Sequence, residues 1–131
     1  MDKIDAAIAR LRTGSLMAEC YTGKPMVITY SGGKDSDVLL HLARRANIPI
    51  EVSHNLTTVD APETVWHVRD VFRALELDGI PASIRYATYK GQRTTMWSEI
   101  VRRGVPPTRL MRYCCSVFKE SSGKGRMIAT G

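Results

Sequence analysis

Hydrophobic positions change period several times along this chain, and each change predicts an element. Ile4, Ala7, Ile8 and Leu11 recur at helical spacing and predict one helix over residues 2–20. Thr22-Gly23-Lys24-Pro25 leads from it into Met26-Val27-Ile28-Thr29-Tyr30, a short β-prone run that reads as a buried strand. The helical period then returns. Val38, Leu39, Leu42, Ala43 and Ala46 fall on one side, with Asp37, His41, Arg44 and Arg45 largely on the other, so this helix buries one face. Ile48-Pro49-Ile50-Glu51-Val52 predicts a second strand, and a long helix follows from about Pro62 to Leu77, with Pro62 at a tolerated first-turn position. Residues 80–86 predict a third strand, 96–102 and 112–119 two short helices, and 126–130 a fourth strand. Trp66, Trp97 and Cys20 fall within helices and are expected to pack rather than to serve ligands. Strand, helix, strand is the parallel crossover unit. The pattern therefore predicts an α/β domain, a three-layer α/β/α sandwich with a mostly parallel sheet and ligands at the carboxyl ends of its strands.

Between the first strand and its helix lies Ser31-Gly32-Gly33-Lys34-Asp35-Ser36. A strand feeding a Gly-rich turn that opens a helix gathers backbone N–H groups and the positive end of the helix dipole at one spot, which suits phosphate. Lys34 adds a full charge and Ser31 and Ser36 add hydroxyls. Asp35 is placed to cap the helix or to hold a Mg²⁺ that accompanies the phosphates. The chain has neither G-x-x-x-x-G-K-[ST] nor G-x-G-x-x-G, so this is a different phosphate device. A plain bend with a solvated Lys34 is the bland alternative, but a bend does not call for Lys, Asp and two Ser beside paired glycines.

The carboxyl-end rule draws further residues toward the same crevice. His54, Asn55, Thr57, Thr58 and Asp60 follow the second strand, as a binding loop or an ordinary polar one. Glu63 suits the positive end of the helix it begins. Arg109 and Arg112, in the proline-stiffened stretch 106–113, carry guanidinium forks that match phosphate and sulfate; two solvated arginines are the other reading. Arg102 and Arg103 read as an exposed helix end, and Lys90 with Arg93 as a loop able to touch a polyanion.

At 131 residues the chain is one domain, with 19 basic against 13 acidic residues and a net charge of +6. That surplus suits nucleotides or nucleic acid without choosing between them. No apolar run approaches a membrane span and no signal-peptide core opens the chain, so a cytoplasmic protein is expected. Asn55-Leu56-Thr57 is then a chance glycosylation sequon. Three cysteines cannot form a closed set of disulfides, Cys114 and Cys115 are adjacent, and the three widely spaced His suggest no zinc site.

The 31–36 loop resembles the PP-loop of the adenine nucleotide alpha hydrolase superfamily. With "HNLTTVDAPETVWHVRD", "PPTRLMRYCCSVFKE" and "GRMIATG", the likeness narrows to the phosphoadenosine phosphosulfate (PAPS) reductase family, which includes sulfonucleotide reductases, the ATP sulfurylase small subunit and DNA phosphorothioation proteins. The resemblance implies a Rossmann-like adenine nucleotide alpha hydrolase fold, with residues 1–23 as a helical leader and 24–131 as the nucleotide-binding domain. It implies ATP or a related adenine nucleotide with Mg²⁺, held by Ser31, Gly32, Gly33, Lys34, Asp35, Ser36, His54, Asn55, Thr57, Asp60, Arg109 and Arg112, with Lys34 and Asp35 nearest the chemistry. It also makes Cys114 and Cys115 iron–sulfur ligands only if a second Cys pair is supplied, and none follows here. Full reductases continue past the "TG" strand end to a C-terminal thiol; a naturally short protein, a truncated one and one part of a split enzyme all stay open. The complete loop looks more like the branches that cut ATP between its α- and β-phosphates. The expected function is thus cleavage or transfer at the α-phosphate with pyrophosphate release. Sulfonucleotide (PAPS/APS) reduction with a thiol from elsewhere, a non-catalytic nucleotide-binding module, and a sulfur-modification component acting on nucleic acid are the alternatives. A protein partner or a missing C-terminal segment is implied as well.

Overall fold

The computed structural model describes residues 2–120 and 123–131. The helix α1 (Lys3–Thr22) leads into β1 (Met26–Thr29), α2 (Lys34–Arg45), β2 (Ile50–Leu56), α3 (Pro62–Leu77) and β3 (Ala82–Tyr86). A hairpin of β4 (Thr88–Tyr89) and β5 (Gln92–Arg93), the helices α4 (Met96–Arg103) and α5 (Tyr113–Phe118), and β6 (Ile128–Ala129) complete the chain. The main sheet runs β3-β2-β1-β6 and every pair in it is parallel. With helices on both sides of that sheet, the architecture is the α/β, Rossmann-like one that the pattern predicts. No helix among the described residues is long and apolar enough to cross a membrane.

Strand alternation sorts the sheet into two faces. Met26, Ile28, Tyr30, Ile50 and Val52 share one face and pack with Leu11 and Ala18 of α1, Leu40 and Ala43 of α2, and Val68, Phe72 and Leu75 of α3. The other face carries Val27, Glu51, Ser53 and Asn55, and the chain after α5 crosses it, where Asn55 Nδ2 donates to the Lys119 carbonyl (3.1 Å). Arg126 ties β6 to this face by donating to the Pro25 carbonyl (2.9 Å) and pairing with Glu51 (2.8 Å). A second, smaller core of Ala87, Met96, Tyr113 and Phe118 holds the hairpin, α4 and α5 together.

Several sequence expectations are corrected. The second strand is Ile50–Leu56 rather than 48–52, because β1 and β3 offer ladder partners through Ser53, His54 and Asn55; these polar residues belong to the strand, not to a loop. The fourth strand of the sheet is only Ile128–Ala129. Trp66 and Trp97 are 60 % and 67 % exposed instead of core, since the buried stripe of α3 is Val68, Phe72 and Leu75 and that of α4 is Met96 and Glu99. Val38 is exposed and Leu40 takes its place in the core; Cys20 is exposed too. The loop expected around Lys90 is a tight hairpin, with positive φ at Lys90 (50°) and Gly91 (79°), the pair of angles a two-residue turn needs to follow the strand twist.

Candidate functional site

The 31–36 loop starts from the centre of the sheet. Tyr30, 1 % exposed, donates its backbone N–H to the Ser53 carbonyl (2.9 Å), and the chain then turns through Ser31, Gly32 and Gly33 into α2. Gly32 has φ +88°, and a Cβ there would lie 3.0 Å from Val68 Cγ2 and 3.1 Å from Thr64 Cγ2, so a larger residue would be strained by its backbone and crowded by α3. Gly33 is the N-cap of α2 and no side chain caps the helix. The first-turn N–H groups are therefore left for a ligand. Ser36 is buried, and its Oγ donates to the Gly33 carbonyl (2.7 Å); Ser31 Oγ donates to Ser36 Oγ (3.3 Å) and accepts from Gly33 N–H (3.4 Å). Both serines thus brace the loop from within, while Lys34 and Asp35 stay exposed. At the far wall Gly131 abuts the same helix start: a Cβ on it would lie 3.0 Å from the Asp35 carbonyl carbon and oxygen.

Around this loop lies a cleft of about 540 Å³. Ser31, Gly33, Lys34, Asp35 and Ser36 line it, Gly32 shapes the turn behind, and His54, Asn55, Thr57 and Asp60 line the opposite side, so ten of the predicted residues meet at one place. Three buried polar atoms of the lining residues, Ser53 Oγ, His54 Nε2 and Thr57 Oγ1, have no partner in the folded chain, a cost that a bound ligand can relieve. His54 is 4 % exposed and donates from Nδ1 to the Tyr30 carbonyl (2.7 Å), which leaves Nε2 as the acceptor. Asp60 accepts from the Thr57 N–H (3.4 Å). Thr58, with φ +68°, reaches away from the cleft and accepts from Met96 N–H at the start of α4 (2.9 Å).

Arg109 and Arg112 are exposed and do not line this cleft; Arg112 instead approaches Cys115 Sγ (3.5 Å). Lys119 lines it, and the sequence reading passed over it. No local pattern separates Lys119 from the other exposed lysines; only the crossing of the chain to Asn55 brings it there. Cys114 and Cys115 are free, half-buried and outside the lining, and no group of three or more metal-binding side chains gathers among the described residues. The carboxylates of Asp35 and Asp60 are oxygen ligands of the kind that Mg²⁺ takes, so the donor chemistry of the lining fits that ion.

A second missed cluster stands behind the loop. The Tyr30 hydroxyl donates to Asp37 Oδ1 and sits 2.9 Å from His67 Nε2, itself 3.4 Å from Asp37 Oδ2. Burial, followed by the bond to Asp37 and its charge, pushes the Tyr30 phenol well above its ordinary range. Asp37, read from the sequence as an outward residue, thereby links α2 to α3.

A parallel sheet in the order 3-2-1-4, whose strand order reverses beside β1, places the cleft at the topological switch point, and the loop there is an uncapped helix start. This is an α/β, Rossmann-like architecture with its cleft at the carboxyl ends of the strands. The family model of the phosphoadenosine phosphosulfate reductase domain matches residues 25–123, and the chain belongs to that family. It is similar to sulfate adenylyltransferase subunit 2 of Myxococcus xanthus (strain DK1622), 39% identical over 67 residues, which are 51% of this chain and 21% of the relative. The match thus spans about a fifth of that relative's length.

Proposed function

We propose that this chain binds an adenine nucleotide, ATP first, with its terminal phosphates on the 31–36 loop, and that it acts at the α-phosphate with pyrophosphate leaving. The observation that carries the reading is the uncapped start of α2, facing the cleft beside Lys34. Its amides and the Lys34 ammonium hold the phosphates that depart, so charge developing on pyrophosphate is stabilised as the acceptor attacks the α-phosphorus and the bond to the α,β-bridging oxygen breaks. Transfer of the γ-phosphate would leave that grip on the wrong side of the broken bond. Asp35 and Asp60 are the residues that would hold magnesium, which when bound shields the phosphate charge. The unpartnered Ser53 and Thr57 hydroxyls offer bonds to the adenosine half. The name of the Myxococcus relative, an adenylyltransferase subunit, supports transfer of this kind, makes sulfate the first acceptor to test, and suggests a protein partner.

The family description favours a second reading, sulfonucleotide reduction; since Cys114 and Cys115 lie outside the lining, the thiol would come from elsewhere. The test is calorimetry of ATP with the wild type and Lys34→Ala, beside chromatography of labelled ATP and a sulfite assay. The variant should bind about tenfold or more weakly at an unchanged circular dichroism spectrum, since one charge-assisted contact is lost. AMP or an adenylated product plus pyrophosphate is the expected outcome. ADP would overturn the phosphate assignment, and sulfite release from PAPS or APS with a thiol donor would promote the reductase.

A further inference from the structure

Charge is unevenly distributed along this chain. Residues 85–112 hold seven of the 19 basic residues and one of the 13 acidic ones, so 12 of each sign remain elsewhere and the whole net charge of +6 belongs to this stretch. Its one acid, Glu99, is 1 % exposed and shared by Arg102 and Arg103, so it neutralises one of two cations and offers no carboxylate to water.

The same stretch holds aromatic rings at the surface: Tyr86, Tyr89 and Trp97. Two of the three stand beside cations. The Arg93 guanidinium lies 3.7 Å from the centre of the Tyr86 ring, and Tyr89 has Arg102 at 4.2 Å and the Lys90 ammonium at 5.5 Å. The hairpin β4–β5 presents Lys90 and Arg93, α4 presents Trp97, Arg102 and Arg103, and the small core under them fixes the hairpin against the helix. None of these residues lines the nucleotide cleft.

We propose that this surface binds single-stranded nucleic acid, with phosphates on Lys90, Arg93, Arg102 and Arg103 and bases stacked on Trp97 and the tyrosines. A strand alternates a charged backbone with flat apolar bases, and here cations alternate with exposed rings in a stretch whose one carboxylate, Glu99, is buried. An acidic protein would be served by the cations but has no equivalent use for rings already flanked by charge. The site is independent of the proposed action on ATP.

Fluorescence anisotropy of labelled oligo-dT and oligo-U of about 20 nucleotides tests it, across a salt series that starts at about 50 mM. Binding should weaken with salt at a slope of about −0.7 per phosphate engaged, or about −3 for four contacts. Reversing two charges (Lys90→Glu with Arg93→Glu) should cost more than about tenfold and flatten the slope by about 1.4. Trp97→Ala should weaken binding about fivefold or more at an unchanged slope, since it removes stacking and no charge. Lys34→Ala should bind the oligonucleotides like the wild type, so a failure of the ATP reading is distinguishable from a failure of this one. Absence of binding at the lowest salt, or indifference to the charge reversal in variants with native circular dichroism, overturns the proposal. Displacement of the oligonucleotide by polyglutamate at equal charge, with no effect of Trp97→Ala, would overturn it in favour of an acidic protein partner.

Discussion

Tyr30 stands where the central strand gives way to the 31–36 loop, and its hydroxyl spans two helices through Asp37 of α2 and His67 of α3. Its raised pKa has a definite sign in stability. Below the unfolded-state value of about 10 both states keep the phenolic proton and the contribution is whole; above it the unfolded chain releases the proton while the folded one holds it, so stability falls as pH rises. Wild-type protein should therefore lose urea resistance between about pH 9 and 11 more steeply than Tyr30→Phe, which has no such proton. Equal slopes would show that the Tyr30–Asp37–His67 contacts are not maintained in solution. Spacing alone could not reveal this cluster, because residue 30 follows β1 while 37 and 67 lie on α2 and α3, and only the tertiary fold brings the three together. The loop beside it was legible: paired glycines between an apolar run and a helical period need no tertiary information to read. Ser53, at position 53 of a stretch too polar to suggest a strand interior, was not, although its orphaned hydroxyl lines the cleft.

At the scale of elements, α4 shows what a charge pattern leaves out. Arg102 and Arg103 form an exposed helix end, as their positions suggest, and both also reach back one turn to Glu99. Burial pushes the Glu99 carboxyl up, but bonds donated by Arg102, Arg103 and the Thr94 hydroxyl outweigh it and hold the group below its ordinary value. The pair therefore stabilises the fold above the usual glutamate range, and that contribution is lost as pH falls through the lowered value. Glu99→Gln should lower Tm by about 4 °C at neutral pH and blunt the further loss seen on acidification toward about pH 3; an unchanged Tm at both pH values would place the arginines in water. The helix start was better signposted: Thr95 caps it, its Oγ1 accepting from Ser98 N–H (3.2 Å). The hairpin before it escaped the sequence reading because strands of two residues carry no period to detect, only a Lys-Gly turn.

Across the whole molecule, the parallel order β3-β2-β1-β6 follows from crossover units that the sequence shows plainly, whereas the length of β6 does not, since the apolar run 127–129 gives no hint that Arg126 turns aside to Glu51. One consequence concerns time rather than shape. Gly131 touches the start of α2, yet it hangs from a strand of two residues that is held to β1 by a short ladder, the Met127 carbonyl on Val27 N–H (2.9 Å) and the Thr29 hydroxyl on the Ala129 carbonyl (3.1 Å). Local opening is cheapest where a strand is short and at the sheet's edge. In deuterated water, β1 amides should exchange near the global unfolding rate and the amides of 126–131 much faster, with ATP slowing the latter selectively if it occupies the proposed site, because that site lies at the helix start that Gly131 abuts. Uniform slowing across the chain would mean that the nucleotide merely follows global stability; selective slowing would show the two-residue strand working as the latch of the cleft.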